Sequence, residues 1–216
     1  MGGEGIQMVA APPGFTCWDG VSETTLEAAL FPPAAGCIEA DLIDERDWDV
    51  VFTRGAPGYL ALAVTTQSAY RHSIVRAFIG AMASRTSLCE DLRVRIYSAV
   101  QEALMNAIFH GNLKIDPHLR DSLDGLLASQ EAIELKLASP EVAHAMIRLE
   151  ATWDASTVHV AVRDSGEGYD AGSPCMRNGH DMCDGASGRG LDILEAFSDG
   201  VQVLNGGTTI RLEFRR

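Results

Sequence analysis

The chain has 216 residues, 46% of them apolar, and a formal net charge of −13. That length builds one ordinary domain, or a domain plus an extension, and the apolar share is that of a folded protein rather than a disordered one. There is no Lys/Arg run of the kind that tracks a nucleic-acid backbone, and no apolar stretch approaches the ~18 residues a membrane span needs.

The charge is uneven: residues 1–55 carry ten acids against two bases. Such a segment reads first as a solvated acidic arm, with a basic partner surface as the alternative. The start, Met1-Gly-Gly-Glu-Gly, lacks the basic residues of a secretion signal, so a cytoplasmic protein is expected. Pro12-Pro13 and Pro32-Pro33 punctuate the segment. A short helix around Glu23–Leu30 and a strand around Trp48–Thr53 are the elements it offers. Residues 1–55 are therefore expected to form an extension or partial layer of unknown role, and residues 56–216 the domain proper, with Gly55-Ala-Pro57-Gly58 as the boundary turn.

From Tyr59 the pattern sharpens. Tyr59–Thr65 reads as a strand. Ser68–Ser84 reads as one helix, with Ile74, Ala77, Phe78 and Ala81 on a single stripe. Glu90–His110 reads as a longer helix. Wound at about 100° per residue, it gathers Ile96, Val100, Ala103, Leu104, Ala107 and Ile108 into one apolar arc and leaves Glu102 and Asn106 opposite, one turn apart. Gly111-Asn112 reads as its C-terminal stop. Ser122–Leu137 is a third helix, ended by Ser139-Pro140. Ala145–Trp153 and Thr157–Arg163 alternate as an antiparallel hairpin with one buried face. Residues 164–188 are loop-like, Arg189–Phe197 is a short helix, and Gly200–Leu204 with Thr208–Phe214 closes as a hairpin around Asn205-Gly206-Gly207. The sum is an α+β fold, a two-layer sandwich in which helices cover one face of a mainly antiparallel sheet of about five strands.

The five cysteines, Cys17, Cys37, Cys89, Cys175 and Cys183, are odd in number and scattered, which argues against a disulfide framework. Cys175, His180 and Cys183 share one loop, but no fourth ligand follows at finger-like spacing.

Three short segments carry chemistry. Glu102 and Asn106, at i and i+4, point the same way from their helix. A carboxylate there can deprotonate a hydroxyl, and an amide oxygen suits Mg²⁺. Asp164 ends a predicted strand and opens Asp164-Ser-Gly166-Glu-Gly168; its carboxylate can accept a hydrogen bond from an exocyclic amine such as that of adenine, while glycines let backbone approach closely. Gly188-Arg189-Gly190-Leu191 precedes a helix, whose first N–H groups suit phosphate. Taken singly, each has a plainer reading as a solvent-facing flank, an ordinary Asp/Gly turn or a glycine-rich helix start.

Taken in this order, the segments resemble the GHKL (Bergerat-fold) ATPases and are most similar to the anti-sigma-factor serine/threonine kinases of bacterial partner-switching systems. Glu102-x-x-x-Asn106-Ala-x-x-His110-Gly111 matches the N-box, Arg163-Asp164-x-Gly166-x-Gly168 the G1 box, and Gly188-Arg189-Gly190-Leu191-x-Ile193 the G2 box. Gly206-Gly207-Thr208-Thr209-Ile210-Arg211-Leu212 matches the final turn and strand, so the likeness covers roughly residues 59–216. The resemblance implies ATP and Mg²⁺, with Asn106 as the metal ligand and Glu102 as the catalytic base. It implies that Asp164 binds the adenine amine, that Gly166 and Gly168 shape the adenine pocket, that Gly188, Arg189, Gly190 and Leu191 close on the phosphates, and that Thr208 or Thr209 supports the adenine end. It further implies an anti-anti-sigma antagonist and a sigma factor as partners, and a homodimer. Two departures are plain: the stretch between the N-box and G1 box, with its 122–137 helix, is longer than in the compact kinases, and loop 169–187 matches no ATP lid closely. Two other readings stand beside the kinase: a nucleotide-gated interaction module, and the ATP-binding part of a histidine-kinase-like signalling system. Against the latter, no phosphoacceptor stretch occurs, and His72 is the only histidine upstream of the N-box.

Overall fold

The structure is a computed structural model that describes residues 11–42, 58–116, 123–168 and 187–216. Its centre is the hairpin that the period-2 alternation predicts: β4 (Met146–Trp153) pairs antiparallel with β5 (Thr157–Arg163), Leu149 opposite Val162 and Ala151 opposite Val160, all four buried. Asp154 closes the turn by accepting from the N–H groups of Ser156 and Thr157 at 2.7 and 2.9 Å, which holds its carboxyl below the usual range. On one side β3 (Gly58–Thr65) joins β4; on the other β7 (Thr209–Arg215) joins β5, and β6 (Gly200–Leu204) joins β7. The turn before β7 has Asn205, Gly206 and Gly207 all at positive φ, which is why it is built from Asn and Gly.

The N-terminal part contributes more than the sequence showed. β1 (Phe15–Trp18), α1 (Glu23–Ala29) and β2 (Gly36–Glu39) form a parallel unit beside β3, so among the described residues the sheet has seven strands, in the order β1-β2-β3-β4-β5-β7-β6, rather than about five. The helix expected around Glu23–Leu30 is α1, whose N-cap Ser22 accepts from the Thr25 N–H. The strand expected at 48–53 lies outside the described residues.

Glu39, only 4% exposed, ties this unit to the rest. Its carboxylate accepts from the Thr65 N–H at 2.7 Å, the Thr65 hydroxyl at 3.1 Å and the Ser68 hydroxyl at 2.6 Å. Arg85 adds a second tie, donating to the carbonyls of Leu30 and Ala34 at 2.7 and 2.5 Å.

The single helix expected over Ser68–Ser84 is two: α2 (Thr66–Arg71) and α3 (Ile74–Ala83). His72 is extended between them (φ −119°, ψ 155°). The docking of α1 sets the break. The Ser73 N–H donates to the Glu23 carboxylate at 2.8 Å, and the His72 ring meets Trp18 edge-on at 5.4 Å. Local periodicity contains no trace of these long-range partners. The stripe Ile74, Ala77, Phe78 and Ala81 is nonetheless buried as expected.

α4 (Glu90–Asn106) buries Ile96, Val100, Ala103 and Leu104, then widens into a π-helical turn, Ala107–Asn112, that buries Ala107 and Ile108. α5 (Leu123–Leu137), α6 (Pro140–Ala143) and α7 (Ser187–Phe197) are the remaining α-helices among the described residues. The inward-facing sheet residues and the helices share one apolar core; a smaller cluster of Ile38, Leu42, Ala61 and Ala63 forms apart from it. The architecture is the expected α+β sandwich. Burial pushes the Cys37 thiol up to about 12, which makes it an inert core residue. Among the described residues no helix is long and apolar enough to cross a membrane.

Candidate active site

The site begins where α4 ends. Glu102 and Asn106 lie half-buried, outside the buried arc of α4 and one turn apart. The π turn then carries Gly111 against Asp164: a Cβ on Gly111 would stand 2.5 Å from the Asp164 Cγ. Gly111 is not the left-handed helix cap that its position in the sequence predicted. The left-handed residue is Lys114 (φ +49°), and Gly111 is needed because a carboxylate packs on its Cα.

Asp164 follows β5 directly. Its own N–H donates to the Thr208 carbonyl at 3.1 Å, and its Oδ1 accepts from the Gly166 N–H at 2.8 Å. Burial pushes its carboxyl above the usual range, and the Gly166 N–H and nearby Arg163 only partly offset this. Gly166 packs on Gly111, where a Cβ would lie 2.5 Å from the Gly111 carbonyl oxygen. Gly168, at φ +72°, packs on the turn before β7, where a Cβ would lie 2.1 Å from the Gly206 oxygen and 3.0 Å from the Thr208 methyl. The loop is thus clasped between the π turn and the β6–β7 turn. Thr209 is buried and accepts from the Asn205 amide at 3.1 Å, whereas Thr208 sits beside Gly168.

α7 supplies the third wall. A Cβ on Gly190 would stand 2.8 Å from Glu102 Oε1 and 3.4 Å from Asn106 Nδ2, so the two polar side chains of α4 lie against the first turn of α7. Leu191 packs on the core and Leu194 is fully buried. Gly188 and Arg189 belong to the same first turn. Farther along, Arg95 holds α7 on α4 by an ion pair to Asp199 at 3.0 Å and a bond to the Phe197 carbonyl at 3.2 Å. The loop holding Cys175, His180 and Cys183 lies outside the described residues; among those described, no three His, Cys, Asp or Glu side chains gather.

The three sequence segments therefore meet in space. The sequence profile of the histidine kinase-like ATPase domain matches residues 65–214, well over half of the chain. The chain belongs to the histidine kinase-like ATPase family. The matched span begins at the end of β3 and leaves β1, α1 and β2 outside it. A search of curated proteins found no match. Membership of this ATPase family implies ATP binding, typically with Mg²⁺, and the residues present fit that pair. A half-buried carboxylate with its loop stands at one end, and an amide oxygen beside a carboxylate, against the first turn of a helix, at the other, which suits base, metal and phosphate.

Sequence reasoning missed the residues that hold the ATPase's loop in place, above all Asn112, which accepts from the Ser165 N–H at 2.9 Å, and Lys114, paired with Glu167 at 2.8 Å. Their only sequence signal is position, just past the N-box.

The raised Asp164 pKa has a stability consequence with a definite sign. An acid whose folded pKa exceeds its unfolded pKa costs the fold stability once pH rises above that window, and the cost vanishes below it. Asp164→Asn keeps an acceptor for Gly166 and carries no charge. The ligand-free variant is expected to melt at a higher temperature than wild type at pH 7, with the gain shrinking as pH falls; thermal melts across pH check this.

Proposed function

We propose that this chain is an ATP-dependent serine/threonine protein kinase of the anti-sigma-factor type, which phosphorylates an antagonist of the anti-anti-sigma class and controls a sigma factor by exchanging partners. The observation that carries the reading is the meeting of Glu102, Asn106 and Gly190, which brings a base, a metal-ligand amide and a helix start to one point. A pure nucleotide binder has no need of a carboxylate there.

In this reading Asp164 accepts from the adenine amine, and Gly166, Gly168 and Thr208, with Thr209 behind, shape that end of the cleft. Asn106 would hold Mg²⁺, which supplies charge neutralisation on the phosphates. The first turn of α7, Gly188 to Leu191 with Arg189, faces the phosphates with its N–H groups. Glu102 takes the proton of the attacking serine or threonine hydroxyl as its oxygen bonds to the γ-phosphorus and the bond to the ADP oxygen breaks. Unphosphorylated antagonist occupies the kinase; once phosphorylated it leaves, and the kinase is free for the sigma factor.

The test is incubation with γ-labelled ATP, Mg²⁺ and an antagonist of this class. Label on the antagonist as an acid-stable phosphoserine or phosphothreonine is expected. Label confined to this chain as an acid-labile phosphohistidine, or no transfer by protein that binds ATP, overturns the assignment.

A further inference from the structure

We propose that Asn112 is a positioning residue for base recognition: it sets the Asp164 carboxylate in the orientation that reads the exocyclic amine of adenine. The inference rests on the nucleotide reading of the site above.

Asn112 is the last residue of the π turn, and both ends of its amide are used. Oδ1 accepts from the Ser165 N–H at 2.9 Å, and Nδ2 donates to Thr66 Oγ1 at 2.7 Å, with the Met146 carbonyl at 3.5 Å. Thr66 passes its own proton to the Ala145 carbonyl at 2.7 Å, so it can only accept from Asn112. The amide therefore has one workable orientation. Ser165 is pinned a second time by its hydroxyl, which donates to the Met146 carbonyl at 2.9 Å.

The consequence falls on the residue before it. The Asp164 N–H is held by Thr208 on β7's side, and the Ser165 N–H by Asn112 on the side of the π turn. With consecutive N–H groups anchored to opposite walls, both peptide planes around Asp164 are set, and with them the direction of its side chain. Asp164 and Gly166 pack on Gly111 and Gly168 packs on the turn before β7, while Ser165 and Glu167 are held by the side chains of Asn112 and Lys114. The Lys114–Glu167 pair is exposed and therefore weak. Asn112 is the side chain that holds the Ser165 N–H, so its loss releases the peptide plane that follows Asp164.

The test is calorimetric titration with ATP and with inosine triphosphate, whose base lacks the exocyclic amine. Wild type is expected to bind ATP at least tenfold more tightly. In Asn112→Ala, ATP affinity falls about tenfold, the loss of one hydrogen-bonded constraint, and inosine triphosphate affinity barely changes, so the ratio collapses. A merely structural role lowers both affinities together and leaves the ratio intact; that result overturns the inference. If the alanine variant does not fold, Asn112→Ser, too short to bridge both partners, gives the same readout with the same expected collapse. A wild type that binds both nucleotides equally overturns the base-reading role of Asp164 itself and this inference with it, whereas a wild-type preference unchanged in folded Asn112 variants overturns the inference alone.

Discussion

Replacing Glu39 by leucine is expected to cost about 3 kcal/mol of unfolding free energy, read from urea or guanidinium transitions. Two effects compete. Burying a carboxylate is expensive, and swapping a buried charge for an apolar group is sometimes neutral when its partners are also removed. Here the partners stay. The Thr65 N–H and the Ser68 hydroxyl, both buried, would lose the acceptor they meet at 2.7 and 2.6 Å, at about 1–3 kcal/mol for each orphaned donor. The cost of orphaned donors outweighs the relief of desolvation. The damage would also reach the active site, because Thr66, next in the chain, is the acceptor of Asn112. A loss below 1 kcal/mol would mean that relief of desolvation cancels the loss of the network.

The second large effect is on chemistry. Glu102→Ala is expected to slow phosphoryl transfer by about 10²–10⁴-fold, the usual worth of a positioned general base, while ATP affinity changes by no more than a few-fold. The two quantities separate because the two ends of the cleft are built from different elements. Asp164, Gly166, Gly168 and Thr208 belong to the strand ends and the turn before β7, whereas Glu102 lies against Gly190 on α7. In the proposed reading, removing Glu102 leaves the adenine-facing end intact. Gly190→Ala probes the same point from the opposite wall: its Cβ would meet Glu102 Oε1 at 2.8 Å and push the carboxylate aside without touching Asp164. Undiminished transfer by Glu102→Ala would remove it as the base.

What the sequence made legible followed from regular periods and from ordered short motifs. The arc of α4 from Ile96 to Ile108, the alternation of β4 and β5 and the Asn-Gly-Gly turn all appear where residue spacing put them. Four-residue strands such as β1 and β2 are too short for a period to emerge, and their role depends on contacts across the chain, Glu39 to Thr65 among them. The break at His72 was hidden for the same reason, since its cause is Glu23 reaching Ser73 from fifty residues away. In the candidate site, the motifs singled out Glu102, Asn106, Asp164 and the glycines, which the fold brings together, but the structural reason for some of them was not legible. The helical run does end at Gly111-Asn112 as expected, but what requires the glycine is the carboxylate packed on it. Asn112 was legible only as part of that helix stop, because a side chain that holds a loop is identified only by what it holds.

The measurement that bears most directly on the central claim is calorimetric titration of the wild-type chain and Asp164→Asn with ATP, each with and without Mg²⁺. Mg²⁺-dependent binding by wild type is expected, weakened at least tenfold in a variant that is folded and more stable without ligand. Folded wild type that fails to bind, or a variant that binds as tightly as wild type, would contradict the nucleotide site built from Asp164, Asn106 and α7.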